Sequence, residues 1–136
     1  MESRTDRMNV PINPNDITLR ALLETAPNPN SKLDYITSLS KTIGTDLFVS
    51  LTYVPDKWLL LSRAFETYLE ASYPLIEEPY EGYAHKFLGD INNEVVPRWS
   101  RIEIKSENSS KRRIVLTDNQ PRWSNPGIFT FIDSSF

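Results

Sequence analysis

The chain has 136 residues, 39% of them apolar and 24% charged, with a net charge of −3. That is enough for one domain to bury a core without disulfides or a structural metal. Cysteine is absent and His85 is the sole histidine, which excludes thiol catalysis, disulfide scaffolds and cysteine or multi-histidine zinc sites.

The first 15 residues hold Pro11 and Pro14 with Asn9, Asn13 and Asn15 and little periodicity, so 1–15 reads as an extended N-terminal arm and 16–136 as a single α+β domain. MESRTDRMNVP lacks the apolar segment of a signal peptide. The longest strictly apolar run, WLLL at 58–61, is far below the ~20 residues a membrane span needs. The expected setting is therefore a cytoplasm or a virion assembled in one, with no membrane partner.

In DITLRALLETA, Ile17, Ala21 and Leu22, or Leu19 and Leu23, recur at helical spacing behind Asn15 or Asp16, and PNPN at 27–30 stops the run; a short helix is expected over 16–26. A second helix is expected over 31–43, capped by Ser31, striped by Leu33, Ile36, Leu39 and Ile43, and ended by a left-handed Gly44. TDLFVSLTYV at 45–54 is rich in β-branched and aromatic residues and puts Leu47, Val49, Leu51 and Tyr53 on one side of a two-residue period. It reads as a buried strand. Pro55 and Asp56 are expected to open a helix over 56–72, with Trp58, Leu61, Phe65, Tyr68 and Leu69 facing the core and Lys57, Arg63, Glu66 and Glu70 facing away.

Beyond YPLIEEP, Tyr80, Tyr83, Ala84, Phe87, Leu88, Ile91 and Val95 follow the same helical spacing, and Pro97 ends the run. The helix expected over 80–94 carries Gly82 and Gly89 on its polar face, each costing ~1 kcal/mol relative to alanine. From Trp99 the period changes to two. WSRIEIK and RRIVLTD, joined by SENSSK, read as a hairpin. A register in which paired numbers sum to 218 sets Ile102 against Leu116 and Ile104 against Ile114 on the core face, with Glu103 against Val115 and Lys105 against Arg113 on the other. GIFTFID at 127–133 is expected to add a third strand. The fold class is α+β: a small three- to four-stranded, mainly antiparallel sheet including the C-terminal β-hairpin, with two to four helices packed on one face.

The tetrapeptide PRWS occurs at 97–100 and 121–124. In the expected hairpin both copies lie at its open end, which brings Trp99 and Trp123 into one neighbourhood, closing the end of the core or forming a surface. Each arginine can lie over a nearby indole. Four shared letters do not make an internal repeat.

Between 97 and 122 there are seven basic and three acidic residues, a balance of +4, and the rest of the chain carries −7. Over 64–96 seven carboxylates face only Lys86. A basic hairpin on an acidic protein suits docking onto phosphate or an acidic protein surface, although edge strands also carry Lys and Arg to discourage aggregation. The candidate partner-binding residues are Arg98, Trp99, Arg101, Lys105, Lys111, Arg112, Arg113, Arg122 and Trp123.

No catalytic residue, cofactor site or metal site is expected. The four glycines, at 44, 82, 89 and 127, make no phosphate-cradling loop, and Ser100 and Ser124 lack a glycine elbow. Glu77, Glu78, Glu81, Asp90 and Glu94 map to a solvent face, where Glu81 lies one turn before His85 and can pair with it. Tyr68, Tyr73, Tyr80 and Tyr83 make an aromatic patch suited to a core edge or to recognition. The expected function is that of a non-enzymatic interaction subunit of a larger assembly, such as a viral or phage particle, docking onto other protein subunits as a homo- or hetero-oligomer through the arm and the basic hairpin. The alternative is nucleic-acid binding, with Arg101, Lys105, Lys111, Arg112 and Arg113 on phosphates and Trp99 or Trp123 stacked on unpaired bases.

Overall fold

The computed structural model describes residues 19–108 and 111–132; the N-terminal arm lies outside them. Four strands form one antiparallel sheet: β2 (Thr37–Ile43), β3 (Leu47–Val54), β5 (Trp99–Ser106) and β6 (Arg112–Asn119), in the order β2-β3-β5-β6. A two-stranded sheet pairs β1 (Thr25–Pro27) with β4 (Trp58–Leu60). Helices α1 (Ser62–Ser72) and α2 (Tyr80–Glu94) connect the two central strands, with α1 packed against β2 and α2 against β5 and β6.

The period-two patterning of β3 and β5 decides which side chains enter the core. Leu47, Val49, Leu51 and Tyr53 are buried beside Ile102 and Ile104, against Phe65, Tyr68 and Leu69 of α1 and Ala84, Phe87 and Ile91 of α2. Phe87 stacks on Tyr68 at 5.2 Å between centroids and on Tyr83 at 6.3 Å. Burial of each such ring contributes on the order of 2–3 kcal/mol relative to exposure. Two buried tyrosine hydroxyls are satisfied: Tyr53 accepts the Leu60 N–H at 2.9 Å, and Tyr68 donates to Asp90 at 2.7 Å. Burial also raises the Tyr83 phenol to about 12, against the lowering effect of its 2.6 Å contact with Ser72.

The hairpin has the register expected from alternation, with Ile102 opposite Leu116, Ile104 opposite Ile114, Glu103 opposite Val115 and Lys105 opposite Arg113. Helix 80–94 and the core face of β3 are also as expected.

Four other segments differ. The helix expected over 16–26 has ended by residue 22, and Thr25 begins a strand; Leu22 and Leu23 donate to Leu19 and Arg20 three residues back, closing a tight turn. Instead of a helix over 31–43, residues 37–43 form the edge strand β2. Asn28 and Asn30 take the following N–H groups of Asn30 and Lys32 on their side chains, and such turns compete with helix initiation. Thr37, Thr42 and Ile43 favour a strand once β3 is beside them, and Leu33 is left exposed. Gly44 does take the left-handed conformation, at φ 63, but in the β2–β3 turn.

The helix expected from residue 56 begins at Ser62, because Trp58–Leu60 pairs with β1, and Trp58 and Leu61 remain largely exposed. Finally, 127–133 does not extend the sheet: Pro126–Phe131 is a 3-10 helix. Ile128 and Ile132, four residues apart, are buried with Val54 and Trp99 on the sheet face away from α1 and α2. Among the described residues that face is therefore covered at one end and open at the other.

Candidate interaction surface on the hairpin

The PRWS copies meet as the hairpin geometry requires. Arg98 N–H donates to Val54 and Gln120 N–H to Arg98, extending the ladder past the open end of the hairpin. Trp99 and Trp123 then pack on the same ring, Phe129, edge to face at 5.0 and 6.1 Å. Trp99 is 8% exposed and Trp123 half-buried, and both belong to the small apolar cluster of Val54, Ile128 and Ile132 rather than to the main core.

Arg98 does not lie over an indole. Its guanidinium bridges Asp34 at 3.0 Å and Asp56 at 3.1 Å and also donates to the Ser31 carbonyl. Trp123 Nε1 and Asn125 Nδ2 donate to the second oxygen of Asp34, each at 3.0 Å, and Gln120 Nε2 to the second oxygen of Asp56 at 3.1 Å. This network went unread in the sequence, because Asp34 and Asp56 stand in turn-like stretches far from Arg98 along the chain. Burial alone would raise the Asp34 carboxyl, but the donors Asn125 and Trp123 and the charge of Arg98 outweigh it and hold its pKa below 3.8.

The remaining cations lie along β5 and β6. On the sheet face away from the helices, Arg101 and Lys105 are half-buried, and Lys105 sits 5.3 Å from the Phe48 ring centre. Arg113 pairs with Glu103, which is only 4% exposed. Ser38, Ser40, Ser50, Phe48 and Glu103 line a shallow hollow of about 340 Å³ on this face. Arg112, on the helix side, binds Glu81 at 2.7 Å. Lys111 and Arg122 are exposed, and Lys111 has a left-handed backbone at φ 48. Val115 is 39% exposed in the middle of β6.

Two carboxylate expectations are corrected. Asp90 does not face solvent: it is 5% exposed and accepts from Tyr68 at 2.7 Å and Lys86 at 3.0 Å, at the contact between α1 and α2. Glu81 pairs with Arg112 rather than His85, whose Nδ1 instead meets the Glu81 carbonyl at 2.8 Å. The carboxyl of Glu81 is held below its ordinary value by its own backbone N–H first and then by Arg112. Glu94 pairs with Arg20 at 3.3 Å, while Glu77 and Glu78 are exposed. In the tyrosine patch, Tyr68 is fully buried, Tyr80 and Tyr83 are half-buried and Tyr73 is exposed. Among the described residues no helix is long and apolar enough to cross a membrane. No family model matches the chain, and no curated protein matches it.

Proposed function

We propose that the protein is a non-enzymatic subunit of a larger protein assembly, in a cytoplasm or a viral particle, and that it docks through the hairpin of β5 and β6 together with the N-terminal arm. The observation that supports this reading is the uneven cover of the sheet. Both helices lie on one face, whereas the other presents Arg101, Lys105, Arg113 and the exposed Val115 beside β6, whose outer edge has no strand neighbour among the described residues. An accessible strand edge with a cationic border suits oriented packing against another protein surface.

Nucleic-acid binding is the second reading. It asks for stacking indoles and free cations, yet Trp99 and Trp123 both pack on Phe129, and Arg98, Arg112 and Arg113 all hold carboxylates. Light scattering at low and moderate salt, with and without a short fluorescent single strand, separates the two. A mass above the 15.7 kDa of one chain and indifference to the strand are expected. A monomer that captures the strand and releases it as salt rises would replace the subunit reading with the nucleic-acid one. Deleting residues 1–14 should leave the domain folded by circular dichroism and lower the mass.

A further inference from the structure

We infer that the partner at the β6 edge is a second copy of this chain, paired antiparallel with the first across a two-fold axis at Val115; this rests on the subunit reading above. β6 has eight residues, and β5 is its one strand neighbour among the described residues. Its outer backbone N–H and C=O groups form a template for another strand.

The sequence of that edge is complementary to its own reverse. If facing residues sum to 230, Arg112 meets Asp118, Arg113 meets Thr117, Ile114 meets Leu116 and Val115 meets itself, and symmetry repeats each unlike pair twice. Opposite charges face each other, apolar residues face apolar ones, and no like charges are opposed. Neighbouring symmetric registers lose this. A sum of 228 sets Arg112 against Leu116 and Arg113 against Val115, and a sum of 232 sets Ile114 against Asp118. The other edge, β2, is a poorer match. Symmetric pairing about Ser40 would set Leu39 against Lys41, whose ammonium already lies 3.5 Å from Glu70.

Facing residues in the 230 register have the same parity, so both copies keep α1 and α2 on one side of a continuous eight-stranded sheet. The exposed Val115 then covers its twin. Arg112 holds Glu81, and Asp118 accepts from Asn92 at 2.7 Å. Both contacts are exposed and weakly stabilising, and a guanidinium has donors for a second carboxylate.

Charge reversal in the full chain tests the register. Arg112→Asp and Asp118→Arg should each weaken the dimer about tenfold in analytical ultracentrifugation, because each reversal turns two symmetric attractions into repulsions. The double reversal should restore the parent affinity, with circular dichroism confirming the fold throughout. Val115→Cys, in a chain without native cysteine, should give a disulfide-linked dimer on mild oxidation, since facing residues of paired strands are within disulfide reach; Ser40→Cys should not. An oligomer indifferent to the reversals and lacking the Val115→Cys link overturns the β6 pairing and leaves the subunit reading standing. A monomer at every concentration overturns both.

Discussion

Arg98 shows how one side chain can hold separate parts of a chain together. Its guanidinium joins the turn at Ser31 and Asp34 to Asp56, ahead of β4, and through Asp34 to Trp123 and Asn125 in the C-terminal segment. Arg98→Ala would leave two half-buried carboxylates without their cation, and a loss of about 2–3 kcal/mol is expected. A urea midpoint shift at unchanged slope checks this. The same network makes stability depend on pH. The folded Asp34 pKa lies below 3.8, so its contribution is present above the unfolded value and is lost as pH falls through the lower folded one. The deficit of Asp34→Asn relative to the parent should therefore be widest near neutrality and shrink below pH 3.8. An equal deficit at neutral pH and near pH 3 would show that this carboxyl is not linked to folding. Val96 is a second informative position: a β-branched residue at φ 52 just after α2. Val96→Gly should relieve about 1 kcal/mol of left-handed strain, read as a higher melting temperature.

At the scale of elements, α2 depends on its neighbours. Its first turn has no side-chain cap, and it contains Gly82 and Gly89, whose missing methyl groups would meet nothing within 4 Å. Gly82→Ala and Gly89→Ala should each stabilise the protein by up to ~1 kcal/mol. Gly44→Ala should do the opposite. Its φ of 63 is left-handed, and a methyl there would come 2.2 Å from the Tyr73 hydroxyl. Thermal melts of the three variants test this, and a destabilised Gly89→Ala would mean that the polar face of α2 is more crowded than its surroundings indicate. Contact between the helices is specified by polar as well as apolar groups, since Tyr68 of α1 donates to Asp90 of α2 beneath the Phe87 stack.

For the whole molecule, the sheet order makes protection uneven. β3 and β5 are central and paired on both sides, whereas β2 and β6 are edges. Amides of β3 and β5 should exchange slowest with solvent, and raising the protein concentration should slow exchange along 112–119 while leaving 37–43 unchanged. The reverse pattern would move the docking edge to β2. What the sequence by itself determined was the set of segments whose periodicity has one solution: α2, the core face of β3, and the hairpin with its 218 register. There Ile102, Ile104 and Ile114 alternate so clearly that a one-residue slip would turn the core to solvent. It also implied that Trp99 and Trp123 meet, because the hairpin ends bring them together. Only the tertiary structure decided 25–27, 37–43, 58–60 and 126–131. Each is short or admits two periods, and its state follows from a partner distant in sequence: β4 for β1, β3 for β2, and the Trp99 cluster for the C-terminal 3-10 helix. The hairpin arginines were legible as positive charge, but their carboxylate partners were not, since Glu81 reaches Arg112, and Asp34 and Asp56 reach Arg98, only once the chain has folded.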